Sequence, residues 1–455
     1  MKKLVRYLIT LFLIISLCFT VSFSVFAEDE TDAAAEPSED EASGEETQTE
    51  DGLWPEAPEL ISNCALVVDT TTEAVIYESN TEEKVYPAST TKLLTCLIAL
   101  EYCSLDEIVT FSAEAVDITN SSTLGALEGE EMPLEDVLYG LMLPSGNDCA
   151  NAIAEHISGS NEAFAELMNE YAESLGCTGS NFTNPSGFYD EDHYTTTSDM
   201  YLIAKAAFSN STLVDIISHT SYTIAATNLS EEREISTTNS MILSSSEYYD
   251  SSVIGGKTGY TSQAGRALVI LSEQNNMKLI CLFFDCAEYT GVFEDAGNIL
   301  DYVYDNFSII NISEEEERFA ASFEDAKVEL DSTSSIAIPN SMTLMDLDFE
   351  ITFATDMGAE EFSAAKLDAG ITTQDGRHLY ANIEYYYDGN YLGNVYVVIN
   401  DNLEIAAASA ASVYYVNIKW GLASAALAVV ILFAVIRLAA SKRKKANKRT
   451  FSARK

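Results

Sequence analysis

The sequence predicts an α+β fold, and three observations carry that reading. β-rich runs stand at both ends of residues 53–307: "CALVVD" and "AVIYES" at the start, "SVIGGKTGY", "RALVILSE" and "MKLICLFFD" near the end. Between them apolar residues recur at helical spacing through 90–102, 134–142, 148–158 and 161–175. From 312 to 410 only short β runs remain, such as "SIAIPN" and "FEITFA". This order predicts one sheet packed by a helical layer, followed by a small all-β domain.

The elements follow in chain order. Lys2, Lys3 and Arg6 precede an apolar run that ends in Val25-Phe26-Ala27, a small-x-Ala pattern. Residues 1–27 therefore read as a signal peptide cut after Ala27, with an uncleaved anchor as the alternative. Residues 28–52 are acidic, low in complexity and free of aromatic residues, so they predict a disordered leader. In the first strand pair, "TTTE" supplies the turn. Gln274-Asn275-Asn276 divides the later hairpin, and "FEDAGNILDYVYDNF" returns to helix. In the β region, Asp388-Gly389 is a strong hairpin turn. The run 418–440 is apolar enough, at about 20 residues, to cross a bilayer as a helix. The basic tail 441–455 that follows predicts a cytoplasmic end, which puts the chain between the leader and residue 418 outside the cell membrane on a single C-terminal span.

Composition removes some functions. A formal net charge of −48 repels phosphate backbones, so no nucleic acid is expected as a partner. Eight cysteines, one of them in the signal peptide, lack the regular spacing of a disulfide framework. Cys96, Cys149 and Cys281 sit in apolar runs and read as small core residues. The four histidines are scattered, and no ligand spacing calls for a metal or another cofactor.

The chemistry begins at "YPASTTKLLT", Tyr86 to Thr95. A serine hydroxyl is a weak nucleophile and needs a base within hydrogen-bond reach. On a helix, positions i and i+3 share a face, so Lys92 would meet Ser89. Burial by Leu93, Leu94, Leu97 and Ile98 would favour the neutral amine, which can accept a proton. Ser89 would also stand at the positive end of the helix dipole. Taken alone, S-x-x-K is equally an ordinary helix start, with Ser89 as N-cap. Two further stretches change the balance. Ser145-Gly146-Asn147 falls between two predicted helices, where a plain turn would also explain it. Lys257-Thr258-Gly259 lies on a strand. "GGKT" suggests a phosphate-binding loop, but Ser251 stands where that motif needs glycine.

The ordered set S-x-x-K, S-x-N and K-T-G is the signature shared by penicillin-binding proteins and class A β-lactamases. With "NFTNPSGFYDEDHYTT" added, the chain from Cys64 to Phe307 resembles the D-alanyl-D-alanine carboxypeptidases of the S11 serine peptidases. The resemblance implies a β-lactamase/transpeptidase-like catalytic domain over 53–307, with the small β domain at 312–410. It implies removal of the terminal D-alanine from peptidoglycan stem pentapeptides through an acyl-enzyme, and inhibition by β-lactam antibiotics. By the same resemblance Ser89 is the nucleophile and Lys92 the general base. Ser145 relays a proton to the leaving amine, and Asn147 positions Lys92 and the substrate amide. Lys257 supplies positive charge, Thr258 binds the terminal carboxylate, and Gly259 allows close approach. The N–H groups of Ser89 and Tyr260 form the oxyanion hole.

Some family members carry an arginine after the last core strand; "FFDCAEYTG" has none. Arg266 follows on the strand after Lys257, and whether it substitutes is open. The family also reaches the membrane more often through an amphipathic helix than through a span. A class A-like β-lactamase, a penicillin-sensing receptor domain and a silent wall-binding protein are the rival readings. Against the first, residues 176–199 match the carboxypeptidases, and a membrane-tethered second domain is unusual for a β-lactamase. Against the second, a signal peptide stands where several spans are usual. Against the third, the motif residues are intact.

Overall fold

The computed structural model describes residues 53–119, 121–319, 328–353 and 379–399. The predicted signal peptide, leader, membrane helix and basic tail lie outside the described residues, as does part of the β region. No helix among the described residues is long and apolar enough to cross a membrane.

The main sheet is antiparallel and has five strands. They are β1 (Cys64–Asp69), β2 (Val75–Ser79), β3 (Val253–Thr261), β4 (Gly265–Gln274) and β5 (Met277–Cys286), in the order β2-β1-β5-β4-β3. The first and last parts of the stretch thus join side by side in one sheet, with β1 paired to β5 at Val67↔Cys281. Asn275 and Asn276, both at positive φ, close the β4–β5 hairpin in the two-residue turn that suits twisted strands.

Alternate residues of β5 go to opposite faces, as strand geometry requires. Ile280, Leu282 and Phe284 join the core under the main helical layer, while Leu279, Cys281 and Phe283 join a second core on the other face. The main layer contains α1 (Lys92–Tyr102), α2 (Leu134–Met142), α3 (Asn147–Ser158), α4 (Asn161–Ser174), α5 (Thr197–Ser209) and α6 (Ser211–Ser218). The second core is covered by α7 (Gly291–Asn306), whose Val292, Ala296, Ile299 and Val303 are buried there. The single helical layer expected from sequence is therefore one of two. α7 returns across the far face because a central strand apolar on both sides has to be covered on both.

α1 is the buried centre of the main layer. Every residue from Lys92 to Ala99 is buried. A helix enclosed on all sides needs to be apolar all round, and the one charged residue in that run is Lys92.

Beyond α7, β6 (Phe307–Asn311) pairs with β8 (Ser335–Pro339). A four-stranded sheet takes β7 (Val328–Leu330), β11 (Asn390–Ile399), β10 (Leu379–Tyr387) and β9 (Asp348–Phe353) in that order. Asp388 and Gly389 form the β10–β11 turn, both at positive φ. Tyr385, fully buried, donates to Glu316, which also holds Arg318. Trp54 stacks on Tyr387 and meets Phe307 edge-on, tying the start of the described chain to this region.

Candidate active site

The three sequence motifs meet at the N-terminal end of α1. Ser89 is not in the first α-helical turn, as expected, but in a 3₁₀ turn, Ala88–Thr91, that leads into it. Ala88 just before it has φ +48, a left-handed conformation that is costly for a residue with a side chain. Lys92 Nζ lies 3.0 Å from Ser89 Oγ, 2.7 Å from Asn147 Oδ1 and 2.6 Å from the Ser186 carbonyl oxygen.

Those partners fix what the amine can do. The Asn147 and Ser186 oxygens can only accept hydrogen bonds. They use both N–H bonds of a neutral amine, which leaves its lone pair for the Ser89 hydroxyl proton. The neutral form is favoured by burial, which pushes the Lys92 pKa well below its ordinary 10.5, with Lys257 adding like-charge repulsion. Lys257 is itself fully buried, and burial lowers it to about 7.

Asn147 opens α3. Its side-chain nitrogen donates to Ser121 Oγ, and its backbone N–H to the Ser122 carbonyl at 2.9 Å. The next residue, Asp148, accepts from the backbone N–H groups of Leu124, Gly125 and Ala126 at 2.8–3.1 Å. The 121–126 loop is thereby fastened to α3. Ser145 has φ +65 and a buried Oγ that, among the described residues, has no hydrogen-bond partner. The structure thus brings Ser89, Lys92 and Asn147 into direct contact and leaves the Ser145 hydroxyl unpaired.

β3 runs past the 3₁₀ turn. A Cβ added to Gly259 would stand 3.0 Å from the Pro87 oxygen and 3.2 Å from the Ser89 nitrogen. Without a Cβ, Gly259 lets the strand pass this close to the Ser89 backbone unhindered. Thr258 Oγ1 shares a 2.6 Å hydrogen bond with Thr238 Oγ1. Tyr260 is exposed, and the Arg266 guanidinium lies over its ring. It also lies over the Tyr289 ring, each centroid 4.1 Å away. Among the described residues this guanidinium has no hydrogen bond or ion pair.

The loop "NPSGFYDEDH" supports Lys92 from the other side, a task its residue types do not disclose. Asn184 Oδ1 gathers the N–H groups of Ser186, Gly187 and Phe188 at 2.9–3.2 Å, folding the loop so that the Ser186 carbonyl faces Lys92. Thr95 Oγ1 donates to the Pro185 carbonyl at 2.6 Å. Buried His193 accepts from Thr183 N–H at Nδ1, so Nε2 carries the proton and donates to Thr91 Oγ1 at 2.9 Å. Burial lowers its pKa to about 4, which keeps it neutral beside the lysine. Backbone acceptors such as Ser186 O leave no mark in residue type, and only the spacing Asn184-x-Ser186-Gly187 hints at the turn.

The family model of D-alanyl-D-alanine carboxypeptidases, the S11 peptidases, matches residues 52–287. The chain belongs to the S11 family. Among S11 relatives, the D-alanyl-D-alanine carboxypeptidase DacF of Bacillus subtilis is 29% identical over 248 residues, 53% of this chain and 62% of that protein. DacC of Escherichia coli is 28% identical over 265 residues, 56% of this chain and 64% of its own. The match therefore takes in less than two thirds of each of these relatives. Of solved structures, the Streptomyces K15 DD-transpeptidase is 25% identical with a TM-score of 0.52, covering 55% of this chain and all of that one. The D-alanyl-D-alanine carboxypeptidase of Mycobacterium tuberculosis is also 25% identical, with a TM-score of 0.51, over 55% of this chain and 94% of that one. The S11 catalytic fold is a mixed α/β, transpeptidase-like one.

Proposed function

We propose that this S11 protein is a serine D-alanyl-D-alanine carboxypeptidase acting on peptidoglycan stem peptides. The observation that carries the reading is the buried Lys92 amine, 3.0 Å from Ser89 Oγ with both its N–H bonds spent on obligate acceptors. Ser89 Oγ attacks the carbonyl carbon between the last two D-alanines while its proton passes to Lys92 Nζ. The C–N bond breaks, and the leaving amine takes a proton through the unpaired Ser145 hydroxyl. Water then cleaves the Ser89 ester, with Lys92 again accepting a proton. The Ser89 and Tyr260 N–H groups hold the oxyanion. Lys257 and Thr258 meet the terminal carboxylate, whose charge would draw Lys257 back toward its protonated form. A β-lactam presents the same carbonyl and carboxylate and traps the ester. Incubation with a stem pentapeptide tests this: one D-alanine and a tetrapeptide are expected, and an unchanged pentapeptide overturns it.

Arg266 fits the carboxylate end. Held over two tyrosine rings, with no hydrogen bond among the described residues, it stands across the strand pair from Tyr260. Arg266→Ala is expected to raise KM for the peptide about tenfold or more, consistent with loss of a charge-assisted hydrogen bond. Lys at this position should recover part of the effect, and kcat should change little. An unchanged KM would remove Arg266 from the site.

The apolar run 418–440 and the basic 441–455 support a single C-terminal span with the catalytic domain outside. Protease added to intact cells should digest the catalytic region and spare the tail. Digestion of the tail alone would reverse the topology.

A further inference from the structure

Sequence spacing points to no metal site, yet folding gathers three ligand types at the far ends of the two catalytic helices. Cys103 caps the C-terminus of α1, His156 lies in the last turn of α3, and Glu107 sits in the loop after α1. One ligand atom from each lies within 4.8 Å of the other two. His156 Nε2 is 3.3 Å from Glu107 Oε2. We propose that Cys103, Glu107 and His156 form a zinc-type site, with water in the fourth position, that clips the ends of α1 and α3 together.

The donor set is the first argument. Thiolate sulfur, imidazole nitrogen and carboxylate oxygen are the three protein ligands that Zn²⁺ takes, at about 2.3, 2.0–2.1 and 2.0–2.2 Å. A tetrahedron of those bond lengths separates its ligand atoms by roughly 3.3–3.7 Å. From at most 4.8 Å apart, the three atoms therefore need to close by about 1.5 Å at most, a side-chain adjustment. A second argument is charge. A thiolate and a carboxylate together neutralise a divalent cation, so the bound site carries no net charge.

The third argument is that the site is braced. The Ser104 N–H donates to Glu107 Oε1 at 2.7 Å, which leaves Oε2 to face His156. Backbone bonds Glu107 N–H to Ser104 O, Glu135 N–H to Leu105 O and Leu134 N–H to Glu107 O hold the 104–107 turn against the start of α2. Accessibility is the fourth. Of the seven described cysteines, six are buried, and only Cys103 is partly open to solvent. Binding exchanges one proton for one bond: the Cys103 S–H proton leaves to solvent as the S–metal bond forms, while neutral His156 and ionised Glu107 each donate a lone pair. Burial and the neighbouring Glu107 charge push the free thiol's pKa up, so the metal has to displace a firmly held proton.

The metal joins the ends of α1 and α3 remote from Lys92 and Asn147, which lie at the opposite ends of the same helices. Its role is therefore to fix the relative placement of those helices, apart from the reacting atoms. The test uses the full chain, stripped with a chelator and titrated with Co²⁺. A near-ultraviolet sulfur-to-cobalt band with visible d–d bands is expected, at one metal per chain, abolished by excess Zn²⁺. Cys103→Ser should remove the sulfur band, and His156→Gln should weaken binding by more than about tenfold. Zn²⁺ should raise the Tm of the parent and leave that of both variants unmoved. No band in the parent, or a band that survives Cys103→Ser, or binding unchanged in His156→Gln, would overturn the site.

Discussion

Lys92→Arg should react with benzylpenicillin about 10²–10⁴-fold more slowly than the parent, the usual cost of losing a general base. A guanidinium stays protonated at every working pH and cannot accept the Ser89 proton. It is also larger, and Nζ already touches three oxygens in a closed pocket. The pH profile gives an independent sign. The reactive form of Lys92 is the neutral amine, which exists above its pKa. Burial and Lys257 lower that pKa well below 10.5. Acylation should therefore rise with pH through a lysine titration far below the free value and then level off. That rising limb should vanish in Lys92→Arg. Near-parent acylation by the variant would make Lys92 a structural cation.

Gly187→Ala should be the most damaging single-methyl change near the site. Gly187 has φ +78, and an added Cβ would stand 1.7 Å from the Ala88 carbonyl oxygen and 2.9 Å from Thr91 Oγ1. Two atoms cannot share that space. Either the 3₁₀ turn that carries Ser89 moves, or the 184–188 loop that offers Ser186 O to Lys92 moves. Overpacking and left-handed strain together are expected to cost about 2–4 kcal/mol of stability and to slow acylation by at least tenfold. Gly159→Ala provides the comparison. Its φ is +84, but its Cβ would meet nothing within 4 Å, so it should lose only about 1 kcal/mol and keep its acylation rate. Thermal unfolding and penicillin acylation of the two variants measure both effects. Equal acylation in parent and Gly187→Ala would remove the loop from the catalytic arrangement.

How much of this was legible in sequence depends on where the information lies. The meeting of Ser89 and Lys92 could be anticipated from their i, i+3 spacing, while Asn147 was reached only through the ordered motif set and the family it resembles. The β4–β5 hairpin was visible because Asn275-Asn276 suits positive φ. The second helical layer was not, because a short apolar strand such as 279–284 reads the same whether one face or both are covered. The 3₁₀ turn at Ser89 was hidden by helix-compatible residues on both sides. The third acceptor on Lys92 is a backbone carbonyl, so its residue type says nothing. Cys103, Glu107 and His156 meet only because α1 and α3 pack side by side, and separations of 4 and 49 positions follow no ligand motif.

Ser89 is the residue expected to form the acyl-enzyme, and a labelled penicillin tests that most directly. After brief reaction and proteolysis, mass spectrometry should find the label on the peptide containing Ser89, at one per chain. Ser89→Ala should lose both the label and D-alanine release while keeping the parent's thermal stability within about 1 kcal/mol. A label on another residue, or one that persists in Ser89→Ala, would contradict the account.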